Sequence, residues 1–114
     1  MQIKNRTAAQ LAAELGLEVL NEADGERSIT CGYAGDLLSW VMGRASCDNA
    51  WITIMSNVNV IAVASLSDVS CIILAEGVVP EDEIVHLAEE KSINLLSSSL
   101  PAFETAVKIS EFVK

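Results

Sequence analysis

Apolar residues along this chain fall in short runs whose period switches between two and about three and a half, so strands and helices alternate. Residues 51–55, Trp-Ile-Thr-Ile-Met, are rich in β-branched side chains and read as a strand. Ser56 and Asn57 interrupt that run, a compact Ala-rich segment continues to Leu66 as a helix, and residues 71–75 form a second apolar strand. Both strands are nearly continuous in hydrophobicity. Strands of that kind are covered on both faces, as in a parallel sheet joined by crossover helices.

The flanking segments extend the pattern. Thr7 with Gln10 fits a capping box, Ala8, Leu11, Ala12 and Leu15 then share one helical face, and Gly16 ends the helix. Residues 17–20 read as a strand, 21–25 as a turn and 28–33 as another strand, in which Gly32 marks a bulge or a close backbone approach. Ala34, Gly35 and Asp36 lead into a helix over 37–42 closed by Gly43, with Leu37, Leu38 and Val41 facing inward. Trp40 is expected in the core, the alternative being an anchor in a subunit interface. Residues 44–50 form a polar loop and 76–80 a loop of breakers. Pro80 opens a helix carrying Ile84, Leu87 and Ala88 on its inner face. Residues 94–97 are the last strand, Ser98 and Ser99 its loop, and 101–112 a closing helix with Ala102, Ala106, Ile109 and Val113 on one side.

The predicted fold is therefore α/β: a single three-layer domain over residues 1–114, with a mainly parallel sheet of about five strands and helices on both faces. In such sheets ligands meet the loops beyond the strand C-termini. That rule nominates Gly35, Asp36, Ser56, Asn57, Asn59, Glu76, Gly77, Ser97, Ser98 and Ser99 as the lining of one crevice. Several precede helices, whose free amides hold anions, although Ser and Asn there also serve as ordinary caps. Asp36 and Glu76 would repel a bare polyphosphate. A nucleotide would need a metal, or would present its base and ribose.

Composition narrows the partners. The 114 residues include 7 basic and 16 acidic side chains, a formal net charge of −9, and the basic residues form no stripe. Nucleic acid and anionic membrane surfaces are disfavoured. No apolar run reaches the roughly 20 residues of a membrane span, and residues 1–6 lack the apolar segment of a secretion signal. A cytoplasmic location is expected. Cys31, Cys47 and Cys71 form no CxxC pair and, with the single His86, no zinc spacing; no cofactor is predicted. Cys31 and Cys71 read as buried hydrophobes, while Cys47, in a polar loop, is the plausible reactive thiol. Glu81, Asp82 and Glu83 suit a helix start through its dipole and need no metal to explain them. His86 is an exposed bystander.

Catalytic patterns are absent. The chain has no GxxxxGK[ST] loop, GxGxxG turn or GxSxG elbow. Asp36 and Glu76 could form a carboxylate pair, but nothing fixes their spacing.

The segments Gly32-Tyr-Ala-Gly-Asp-Leu-Leu-Ser39, Trp51-Ile-Thr-Ile54, 59–66, 80–89, and Leu95-Leu-Ser with Phe103-Glu104 resemble the DRTGG domain over essentially the whole chain. The likeness is to small stand-alone members, and that family is related to the N-terminal domain of HPr kinase/phosphorylase. The family's Asp-Arg pair would fall at Ser56-Asn57 and its Thr-Gly-Gly at Ala75-Glu76-Gly77, so Gly77 alone remains of the defining residues. The resemblance implies a dimer-forming, regulatory role and carries over no kinase activity, whose phosphate loop belongs to a separate domain. It also implies a protein partner in a redox or regulatory system.

Three functions follow, in order of preference. The first is a non-catalytic regulatory or adaptor domain that homodimerises through an apolar face. The second is a sensor of a small ligand such as a nucleotide at the strand ends. The third is an enzyme or redox accessory using Asp36, Glu76 or Cys47.

Overall fold

A computed structural model describes residues 6–114. Residues 1–5, most of the stretch expected to carry no secretion signal, lie outside the described residues. Helix α1 (Ala8–Leu15) starts at Thr7, whose hydroxyl accepts the Gln10 N–H at 3.2 Å. It stops at Gly16, which takes φ 66°, a left-handed conformation that costs glycine little. Then follow β1 (Glu18–Asn21), β2 (Cys31–Ala34), α2 (Leu38–Arg44), β3 (Asn49–Thr53), α3 (Val58–Ser67), β4 (Cys71–Leu74), α4 (Asp82–Glu90), β5 (Leu95–Ser97) and α5 (Ala102–Val113).

The strands form one sheet in the order β1-β5-β4-β3-β2, with β1 antiparallel to β5 and the other pairs parallel. Register explains the two cores. Tyr33, Trp51, Ile72 and Leu95 stand side by side across four strands, and so do Ala34, Ile52, Ile73 and Leu96 one position later. Successive side chains leave a strand on opposite faces. The first row packs with Val41, Val60, Ile61, Ala64, Ile84 and Ala88 of α2, α3 and α4, the second with Leu11, Ala12, Ile109 and Phe112 of α1 and α5. Each fully buried Ile or Leu in these layers contributes about 1.5–3 kcal/mol. The three-layer α/β architecture expected from the alternating pattern is thus the one observed.

Five local readings are corrected. Trp40, expected in the core, is 52% exposed, because a helix of about two turns buries only Val41 fully; its ring instead carries the Arg44 guanidinium at 3.8 Å. Leu37, expected to face inward, is exposed as the residue before the first turn of α2. Cys31, expected to be buried, is exposed, because β2 lies at the border of the sheet; Cys71, on central β4, is buried, and burial pushes its thiol up to about 12. Gly43 does not close α2, which runs on to Arg44, and β3 starts at Asn49 and stops at Thr53, two residues earlier at each end than its hydrophobic run suggests. No helix among the described residues is long and apolar enough to cross a membrane.

Candidate functional site

The parallel strands end in four loops on one side of the molecule, and these divide into two kinds. On one flank the polar residues are consumed by internal bonding. Glu76, at φ 63°, donates its N–H to the Leu100 carbonyl, and its Oε2 accepts the Ala102 N–H at 2.7 Å, capping α5. Gly77, at φ 68°, donates to the Ser98 carbonyl. The Ser98 and Thr105 hydroxyls bond each other at 2.9 Å, and Leu100 N–H donates to Ser98 Oγ. Ser97 is held opposite Glu18 in the β1–β5 pair, and Ser99 is exposed in the loop.

At the other flank, Asp36 braces β2 to β3. Its Oδ1 accepts from the Thr53 hydroxyl at 2.6 Å and from the Ile54 N–H at 3.0 Å, while the Gly35 carbonyl accepts the Trp51 indole N–H at 2.9 Å. Charge-assisted bonds of this kind are the stronger class, so this junction is well fixed.

Between the flanks lies an open crevice of about 500 Å³, bounded by Met55, Ser56, Asn57 and Val58 before α3 and by Val79, Glu81, Glu83 and Ile84 around the start of α4. Asn57, which caps α3 by accepting the Asn59 N–H on Oδ1 at 2.9 Å, is among its walls. Ser56 and Asn57 thus line this space, whereas Asn59, in the first turn of α3, does not. Gly35, Asp36, Glu76, Gly77, Ser97 and Ser98 do not line it. The residues that sequence reasoning left out of the crevice are Met55, Val58, Val79, Glu81, Glu83 and Ile84. Their signal was an apolar or acidic residue next to a loop, which core packing and helix-dipole complementarity explain equally well. Chemically the crevice offers a hydroxyl, a carboxamide, two carboxylates and four aliphatic surfaces, with no basic side chain among its walls. Among the described residues no three His, Cys, Asp or Glu side chains gather as a metal-binding group.

The opposite end of the sheet is clamped. Arg27 bonds Asp48 Oδ1 and Asp68 Oδ1, each at 2.8 Å, and the Asp68 carbonyl at 2.7 Å, tying three loops together. Burial alone would weaken its charge, but the two carboxylates outweigh that and hold its ionisation well above the ordinary arginine value. Cys47 donates to Asp68 Oδ2 at 3.3 Å, and that bond, reinforced by the negative charges nearby, raises its thiol above the usual range. Asp68 is in turn lowered, chiefly by Arg27.

These features define an α/β module with one packed flank and one open crevice at its strand ends. No curated protein gives a match to the chain. Residues 10–112 match the DRTGG domain, and the chain belongs to that family. Among solved structures, it superposes on the crystal structure of the CBS and DRTGG domains of the regulatory region of Clostridium perfringens pyrophosphatase, complexed with the activator diadenosine tetraphosphate. The TM-score is 0.70 at 17% identity, over 98% of this chain and 53% of that one, so the chain spans about half the length of that relative.

Proposed function

We propose that this protein is a non-catalytic regulatory module that self-associates and responds to a small ligand held at the ends of β3 and β4. Membership of the DRTGG family, together with a fold shared with a regulatory region crystallised with a nucleotide activator, carries this reading. The crevice supports it through its size, since small-molecule sites commonly have volumes of about 300–1,000 Å³ with mostly apolar walls and a few polar groups. Glu81 and Glu83 set the ligand chemistry. A nucleotide fits with its base against Met55, Val58 and Val79 and its ribose toward Ser56 and Asn57, and any polyphosphate there carries a divalent cation.

Thermal unfolding of the purified chain with AMP, ATP and diadenosine tetraphosphate, each with and without Mg²⁺, tests this. Ligand at about 100 times its Kd adds about 2.7 kcal/mol of stability, which is a shift of several degrees. Val79→Trp, at an exposed position on the crevice wall, removes that shift without lowering the unliganded melting temperature. Absence of stabilisation by every nucleotide, with or without the cation, refutes the nucleotide reading. Light scattering that returns a monomer at all concentrations refutes self-association.

A further inference from the structure

Helix α3 carries no charged side chain over its ten residues, Val58–Ser67. Val60, Ile61, Val63 and Ala64 are buried, as the inner stripe of a helix lying on a sheet should be. Val58, Ala62, Ser65 and Leu66 are exposed, Val58 at 46% and Leu66 at 73%. Their spacing of i, i+4, i+7 and i+8 puts these four on one outer stripe about 12 Å long. The outer stripe of a surface helix is ordinarily polar. Here it is aliphatic apart from one hydroxyl, and with Leu87 of α4 and Lys91 at the end of α4 it walls a groove of about 320 Å³ between the two helices.

The rim of this groove has the opposite character. Positions three and four residues from Leu87 share its side of α4, and of these Ile84 is buried while Glu83, Glu90 and Lys91 are exposed. Glu83 stands with Val58 in the wall of the strand-end crevice, at the end where both helices start, and Lys91 lies toward the other end. Among the described residues, no side chain or backbone group bonds the carboxylates of Glu81, Asp82, Glu83, Glu89 or Glu90. An uncharged aliphatic floor therefore adjoins a helix whose negative charge is unmatched within the chain.

We propose that the α3–α4 groove docks a basic amphipathic helix of another protein, its apolar residues against Val58, Ala62, Leu66 and Leu87 and its lysines or arginines toward Glu83 and Glu90. Grooves with apolar floors bind helices through anchors at i, i+4 and i+7, and a stripe of about 12 Å matches two such turns. Charge selects the occupant. A net charge of −9 draws a basic segment to the chain and repels an acidic one. A neutral helix would cover the floor and leave the rim unmatched. A second copy would set this patch against itself across a twofold axis, with Glu83 and Glu90 opposed by Lys91 alone on either side. Lys91, at the far end, suits the partly negative C-terminus of the bound helix. The groove stands apart from any ligand in the crevice, although Val58 borders both.

Fluorescence anisotropy on the full chain tests this with three labelled peptides of about sixteen residues. The first has leucines at helical spacing among lysines, the second the same composition with the leucines scattered around the helix, and the third glutamate in place of lysine. The first is expected to bind with a dissociation constant about tenfold or more below those of the others. Leu66→Glu, at a solvent-facing position and with folding confirmed by circular dichroism, weakens that binding about tenfold even though it adds negative charge. Glu83→Gln with Glu90→Gln weakens it several-fold, whereas Val107→Glu, exposed on α5 across the sheet, leaves it unchanged. Equal binding of the scattered peptide, or full binding by Leu66→Glu, reduces the effect to bulk charge and overturns the docking site. Equal binding of the glutamate peptide overturns the basic occupant. A parent that sedimentation equilibrium finds dimeric, that excludes the first peptide and that Leu66→Glu makes monomeric gives the groove to a second copy and overturns the proposal.

Discussion

Replacing Asn94 with alanine is predicted to be among the most destabilising single changes outside the aliphatic core. Asn94 is only 3% exposed, and its carboxamide makes four hydrogen bonds to backbone. Oδ1 accepts from Ala23 N–H at 2.8 Å and Asp24 N–H at 2.9 Å, and Nδ2 donates to the carbonyls of Asp24 at 2.8 Å and Ser70 at 3.0 Å. One side chain therefore fixes the loop between β1 and β2 to the starts of β4 and β5. In Asn94→Ala the groups on the exposed 23–24 loop regain water, whereas the Ser70 carbonyl, on a buried residue, is left without its partner. At about 1 kcal/mol per bond made, and somewhat more for the orphaned acceptor, the loss is about 3–4 kcal/mol. With a urea slope of about 1.5 kcal/mol per molar, the unfolding midpoint falls by about 2 M. Equilibrium urea unfolding followed by tryptophan fluorescence measures it directly, since Trp51 is fully buried. A midpoint displaced by less than about 0.5 M would show that the loop is held by something other than this carboxamide.

Two further predictions concern the Arg27 clamp. Asp68→Asn exchanges the carboxylate that chiefly raises the Cys47 thiol for a neutral carboxamide, so alkylation of Cys47 by iodoacetamide at pH 8 speeds up several-fold while the fold is kept; an unchanged rate would contradict the assignment. Asp68 is lowered below its ordinary value of 3.8 by Arg27, so the stability this pair confers is present above that pH and disappears as pH falls through the depressed folded value. The difference in stability between the parent and Arg27→Gln, read from urea midpoints, is accordingly largest near neutrality and shrinks below about pH 3.8; a difference that grows with acidity would reverse the sign of the linkage.

The order and type of the ten elements were legible because β-branched runs, caps and breakers are local signals. Thr7 at the start of α1 and Asn57 at the start of α3 cap their helices through hydrogen bonds that the sequence pattern anticipates. What could not be read is what depends on neighbours. The direction of Trp40 is set by the sense of a crossover, and the exposure of Cys31 by the place of β2 at the end of the sheet. The strand-end rule nominated all four loops equally. It had no means of seeing that Glu76, Gly77 and Ser98 turn toward α5 and one another, leaving the space to the loops before α3 and α4. Asn94, read simply as a strand start, has partners about seventy positions away, beyond the reach of any periodicity.

The crevice loop and the entry to α2 are joined through one residue's bonding. Ile54, whose N–H is held by Asp36, directly precedes Met55 on the crevice wall, and Asp36 directly precedes Leu37, from which α2 departs with Trp40. The 55–58 loop is thus tied to the entry of α2 through the Thr53 and Ile54 bonds to Asp36. Coupling requires an element with two arrangements that both sites bias. Asp36 supplies covalent and hydrogen-bonded continuity, because it accepts from Thr53 at the end of β3 and from Ile54 just beyond it, while its backbone belongs to the β2–α2 connection. Its carboxylate is thereby engaged at the end of β3 instead of in the crevice, so Asp36 holds the β3 end to the β2–α2 connection and leaves the crevice walls to Ser56, Asn57, Glu81 and Glu83.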